Sequence, residues 1–196
     1  MKKIYIALAL MVLFSMTMSA EALEQKIITR QNGVSAYADW TETTNLTIDT
    51  LLSVTQSDKG TDIWLSICTY DIIGNGSCKS GEIITQDNVF SMDKKLESAS
   101  LKSVQIELYQ WNCDASGCWE TPAGIATIEA TWSGTGTISK GSYKWMSKDD
   151  NYMAKGSSSS SSRTATAQGT LNKKELGTSA FGGMANFKSV DMQMIK

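Results

Sequence analysis

No histidine occurs anywhere in the 196 residues, and that bounds the chemistry this chain can perform. Without imidazole there is no Ser-His-Asp triad, no Cys-His pair and no metal site that needs a histidine ligand. Four cysteines are present, Cys68, Cys78, Cys113 and Cys118. The paired C-x-x-C spacing of a four-cysteine zinc site is absent. Of the three possible pairings the two local ones are favoured, because each encloses turn residues: TYDIIGNGS lies between Cys68 and Cys78, and DASG between Cys113 and Cys118. Asn75-Gly76 and Ser116-Gly117 tolerate positive φ, so two disulfide-stapled hairpins are expected. Cysteines tied up in this way leave no thiolate nucleophile.

Carboxylates are the remaining catalytic resource. Glycoside hydrolysis needs two of them roughly 5 to 10 Å apart in a cleft. Residues 23–125 hold fourteen Asp and Glu, but no spacing singles out a pair, so solvated surface charge is the simpler reading. Asp149-Asp150-Asn151 and the Asp71 to Asn75 segment offer oxygen ligands for Ca²⁺ without the spacing of a known calcium loop, and both read as turns. No catalytic residue, metal or cofactor is assigned.

The aromatic residues give a more definite candidate. If Cys113 bonds Cys118 across a hairpin, Trp111 lies opposite Glu120 on the disulfide face, and Trp119 lies opposite Asn112 on the other face. A short hairpin cannot easily bury both faces, so at least one tryptophan is expected in solvent. An exposed indole beside Asn, Asp and Glu can stack on a sugar ring and hydrogen-bond its hydroxyls. Trp111, Asn112, Trp119 and Glu120 are therefore the candidate binding residues, against the plainer possibility that the tryptophans cap the end of the core.

The elements that would position these groups read almost entirely as strand. Thr, Val, Ile, Trp and Tyr alternate with period two, and Gly, Asn, Asp and Ser punctuate at short intervals. In VSAYADW, Val34, Ala36, Ala38 and Trp40 share a face; in ATIEATW, Ala126, Ile128, Ala130 and Trp132 do the same. ASLKSVQIEL at 99–108 returns as ANFKSVDMQM at 185–194, with Val104, Ile106 and Leu108 matching Val190, Met192 and Met194 as the inward face. MDKKL at 92–96 and LNKKEL at 171–176 form a weaker third match. Three matches in one order indicate a tandem duplication with copies at about 34–108 and 126–194, each of about five short strands, joined by the stapled segment 109–125. A lone copy would have a thin core, so the expected architecture is all-β: one antiparallel β-sandwich over 23–196 with pseudo-twofold symmetry. In KGSSSSSSRTATAQGTL, Ser157 to Ser160 reads as a mobile turn and the remainder as a strand. Neither face of the serine run is apolar, which argues against a membrane-inserting hairpin.

The phrases YADW, MDKKLESASL, ATWSGTG, SRTATAQGTL and FKSVDMQM resemble those of a diffuse group of secreted, β-rich, uncharacterised microbial proteins. The resemblance covers most of the mature chain. It implies a β fold and an exported location, and it transfers no functional residue, since no activity attaches to the group.

Location follows from the first residues. MKKIYIALALMVLFSMTMSAEA has two lysines, an unbroken apolar run from Ile4 to Phe14 and a small-residue cleavage site, the pattern of a signal peptide cleaved near Ala22. The product is expected to be secreted or periplasmic, with no membrane span. Asn45 and Asn75 lie in glycosylation sequons. Cleavage removes two lysines and one glutamate, leaving 16 basic and 19 acidic residues, a net charge of −3. Residues 23–125 carry 7 basic and 14 acidic groups, residues 126–196 carry 9 and 5. A basic second half can meet an anionic glycan or nucleic acid, but its cations are dispersed in sequence, which disfavours nucleic acid and makes attraction between the halves the simpler reading. Two function classes follow. A non-catalytic extracellular module that binds a glycan or another protein is favoured over a carboxylate-dependent hydrolase such as a glycosidase. The sequence does not address oligomeric state.

Overall fold

The computed structural model describes residues 25–114, 116–150 and 152–195. The signal-peptide segment, 1–22, lies outside the described residues. Among these the chain is all-β and entirely antiparallel: β1 Gln25–Thr43, β2 Thr47–Ser57, β3 Gly60–Tyr70, β4 Gly76–Thr85, β5 Phe90–Met92, β6 Ser98–Asp114, β7 Gly117–Lys148, β8 Tyr152–Leu171, β9 Lys174–Thr178 and β10 Phe181–Ile195. All ten belong to one sheet, ordered β10-β1-β2-β3-β4-β6-β7-β8-β9, with β10 also pairing β8. That last pairing closes eight strands into a ring. Its weakest seam is between β4 and β6, held by two residue pairs, Lys79 with Gln110 and Ser80 with Tyr109. The strands thus form one closed antiparallel sheet in place of the two-layered sandwich expected from the sequence.

The alternation places apolar side chains inside. Ala36, Ala38 and Trp40 of β1 meet Ile128, Ala130 and Trp132 of β7 within one core cluster. Trp132 donates its indole N–H to the Tyr37 carbonyl at 2.9 Å and meets Phe90 edge to face. Outward positions on the ring walls are mixed, with polar Thr41, Ser53, Ser66, Glu129, Thr131 and Gln168 beside exposed Tyr37, Leu51 and Ile84.

Two expectations need correction. Ser157 to Ser160 is not a turn. It lies inside β8, and every serine from 157 to 162 is paired on both sides, with β7 and with β10. Serine has little intrinsic strand preference, but a central strand is stabilised by the ladders of both neighbours. The chain reverses instead between the end of β7 at Lys148 and the start of β8 at Tyr152, where the Asp149 N–H donates to the Tyr152 carbonyl at 2.9 Å.

The stretches read as copies, about 34–108 and 126–194, do not form two matching halves, and the expected pseudo-twofold symmetry is not found. The first 114 residues give the ring five strands (β1 to β4 and β6), the rest give three (β7, β8 and β10), of which β7 and β8 are the longest in the chain. Ala99 pairs with Trp132, whereas its counterpart Ala185 pairs with Ser35, five residues from Trp40. In consequence Val104, Ile106 and Leu108 are buried as expected, but Val190, Met192 and Met194 lie beyond the ring and are half-buried. There β1, β10, β8 and β7 continue as a four-stranded extension, spanning 26–32, 188–194, 153–159 and 142–148, past the point where β2 ends opposite Gly33.

Candidate binding site

Antiparallel order brings the turns after β1, β3 and β6 to one end of the ring, opposite the extension. The most prominent feature there is the ribbon formed by the end of β6 and the start of β7. Its register is Trp111 with Glu120, Asn112 with Trp119 and Cys113 with Cys118. The disulfide closes the ribbon with the two Cα atoms 4.1 Å apart. Gly117 adopts φ +140° in the turn, a conformation that a residue with a Cβ rarely takes.

The ribbon stands clear of the core on both faces. Trp111 is 60% exposed on the disulfide face and Trp119 is 44% exposed on the other. Asn112 is half-buried because its amide is used internally: it donates to the Gln110 carbonyl at 3.1 Å and to the Thr121 hydroxyl at 2.9 Å. Asn112 thus fixes the ribbon rather than facing a ligand, while Glu120 is exposed beside Trp111. Below it the Tyr109 hydroxyl donates to Glu107 at 3.0 Å, and this bond, with the charge of Glu107, raises the phenol above its ordinary range.

Neighbouring tips share this end. Cys68 and Cys78 form the second disulfide across β3 and β4, as the spacing led one to expect. Beyond it the Asp71 carboxylate accepts from the backbone N–H groups of Ile73 at 3.0 Å and Asn75 at 2.9 Å. Partial desolvation pushes the Asp71 carboxyl up, but these bonds together hold it below the usual carboxylate range. That carboxylate is committed to a turn. Among the described residues no group of three His, Cys, Asp or Glu could hold a metal ion. The turn presents Ile72 and Ile73 to solvent, 90% and 78% exposed, and Leu46 projects from the turn between β1 and β2. Sequence reasoning passed over these three residues. Their signal was present as apolar residues inside Gly-Asn-Asp turns, where no strand face accounts for them.

Three depressions hold carboxylates: one of about 490 Å³ is lined by Glu129 and Glu175, and the other two lie at the β4–β6 seam and at the mouth of the ring. The seam depression, of about 430 Å³, where β4 and β6 splay, is lined by Glu82, Glu107 and Tyr109. Asp62, whose Oδ1 is enclosed without a partner, raises Glu82 by its charge and by a side-chain hydrogen bond. The other, about 360 Å³ at the mouth of the ring, is lined by Trp40, Thr50 and Leu171. Lys174 bridges to Glu42 at 2.5 Å beside it.

The two disulfides fit an extracellular or periplasmic location. No helix among the described residues is long and apolar enough to cross a membrane. Comparison with family models, with curated proteins and with solved structures returned no match.

Proposed function

We propose that this protein is an exported binding module that grips a glycan with the stapled ribbon at residues 109–125. The carrying observation is that both ribbon tryptophans are solvent-exposed on a two-stranded element already braced by a disulfide and by the Asn112 amide. A flat ring held on each face of a stiff finger offers stacking surfaces whose ordering cost is met before the ligand arrives. The strand phrases of both copies build the ring, and the ribbon has no counterpart after the second copy, so the scaffold does not demand its sequence. The duplication, on this reading, is the ancestry of the scaffold and not a twofold-symmetric site.

Carboxylate-dependent hydrolysis is the second reading, and the Glu82 and Glu107 depression is what favours it. It ranks lower because Glu82 is raised by Asp62, its neighbour on the outer face of the ring, and not by Glu107. An acid and base pair of a glycosidase needs substrate held between its two members.

The test is a glycan array and titration on the mature chain. Trp119→Ala is expected to weaken glycan binding by about 1–3 kcal/mol, the scale of a central aromatic contact, with the melting temperature nearly unchanged. Loss of several kcal/mol of stability, the consequence of deleting a buried tryptophan, would show that Trp119 is a core cap and remove the proposal's support. Absence of binding to every glycan, with crosslinks from the ribbon to a protein, would transfer the site to a protein partner.

A further inference from the structure

At the end of the ring opposite the ribbon, the four-stranded extension segregates its charges completely. The register sets rows across β1, β10, β8 and β7: Lys26–Met194–Met153–Lys148, then Ile28–Met192–Lys155–Met146, then Arg30–Val190–Ser157–Lys144, then Asn32–Lys188–Ser159–Ser142. The next row adds Lys140. These rows occupy one face, the face continuous with the core side of the ring, because side chains alternate along each strand. Among the described residues of these rows there are seven basic side chains and no carboxylate. The intervening rows on the opposite face carry Asp191 and no basic residue. Among the described residues the ion pair is that of Lys174 with Glu42, at the mouth of the ring, and none of the seven cations bridges to a described carboxylate.

The same face is apolar at its far end. Ile28 and Met146 are exposed, Met153, Val190, Met192 and Met194 are half-buried, and a depression of about 500 Å³ between Ile28, Met146, Val190 and Met192 is rimmed by Arg30, Lys144 and Lys155. In the first copy the matching positions, Val104, Ile106 and Leu108, are covered by the core. In the second they lie past the end of the ring on the same parity, half-buried, with lysines in the same rows.

We propose that this face docks the protein on an anionic phospholipid bilayer. Charge complementarity gives the sign of the partner, and the arrangement gives its kind. A bilayer surface presents phosphates above an acyl boundary, and an amphipathic surface of cations and apolar side chains matches that depth profile. The six apolar residues crowd the three rows nearest the tip, and Lys188 and Lys140 stand behind them. A polyanionic chain such as a sulfated glycan or nucleic acid offers nothing for Ile28, Met146 and Met192 to enter, and the rows of this face carry no aromatic residue, Trp145 at the edge of the depression belonging to the opposite parity. The proposal stands apart from the ribbon and concerns a different ligand at the other end of the molecule.

The test is co-sedimentation of the mature chain with vesicles of phosphatidylcholine alone or containing 30% phosphatidylserine, beside binding to heparin and to duplex DNA. Binding is expected on the anionic vesicles alone and is expected to fall as salt rises. Lys144→Gln with Lys155→Gln should weaken it about 30-fold, from about fivefold per lysine. Met146→Ser with Met192→Ser should weaken it about tenfold while leaving any heparin binding unchanged. All four sites are on the open extension, so melting temperatures should stay near that of the parent, and Trp119→Ala should leave vesicle binding intact. Absence of binding to anionic vesicles overturns the proposal. Equal binding to heparin or DNA with no effect of the methionine substitutions overturns it in favour of a polyanion.

Discussion

Replacing Cys113 and Cys118 by serine, and separately Cys68 and Cys78, distinguishes a free-standing ribbon from one that is part of the folded body. The chain-entropy cost of opening a loop depends on its length, and the sequence separations here are 5 and 10 residues. These correspond to about 2 and about 2.7 kcal/mol. The two values are close, yet they should appear in different places. Both faces of the ribbon from Trp111 to Glu120 are largely exposed, so its opening leaves the core intact. Losing Cys113–Cys118 should therefore reduce amide protection across 111–120 by about 30-fold and leave the global melting temperature within about 1 °C of the parent. Cys68–Cys78 ties together two ring strands just past the buried Ile67, so its loss should lower the global melting temperature by about 5–10 °C. Native-state hydrogen exchange and calorimetry on the two double variants make the measurement. Equal falls in melting temperature would refute the reasoning, because they would show the ribbon packed into the cooperative unit and its tryptophans unavailable as a rigid external finger.

Two further outcomes follow from the β4 and β6 seam and its surroundings. A Cβ built on Gly81 would come within 2.0 Å of the Glu107 carbonyl oxygen, so Gly81→Ala should push β4 from β6 where two residue pairs hold them, at about 1–3 kcal/mol in a chemical melt. Glu82 binds its proton more tightly folded than unfolded, first through the charge of Asp62 and then through their hydrogen bond. Stability from this pair is therefore fully present below the ordinary Glu range near pH 4.5 and is lost as pH rises through the raised folded value. Glu82→Gln should flatten that part of the stability profile, measured as urea midpoints across pH 4 to 7.

What could be read from the sequence was local. The disulfide pairing and the Trp111–Glu120 and Asn112–Trp119 register follow from turn chemistry within a few residues, and the buried parity of Ala36, Ala38 and Trp40 follows from period-two alternation. Ring closure was not legible, because it depends on β10 meeting both β1 and β8, partners that lie 142 to 170 residues away in β1 and 19 to 43 away in β8. The serine run failed for the same reason. Nothing in Ser157 to Ser162 marks a strand, and its conformation is imposed by Lys140, Ser142 and Lys144 on one side and Asn186, Lys188 and Val190 on the other. The basic face was hidden in plain composition. Its cations are scattered from Lys26 to Lys188, and only the pairing of four strands shows that they share a parity. The apparent attraction between an acidic first half and a basic second half gives way to that segregation, with Lys174 and Glu42 as a bridge between the halves.

β7 is one uninterrupted strand of 32 residues, about 100 Å if fully extended, and it begins in the ribbon and ends in the extension. A pull applied between those two ends runs along its backbone. Antiparallel hydrogen bonds lie perpendicular to the strands, so such a load acts in shear on the ladders to β6 and β8 together, and rupture requires many bonds to fail at once. A pull at the two sides of the β7–β8 turn would instead unzip the same ladder one pair at a time. The molecule is thus mechanically anisotropic, stiffest along the line that joins its two exposed ends, and a tether attached there meets the direction in which the fold resists most.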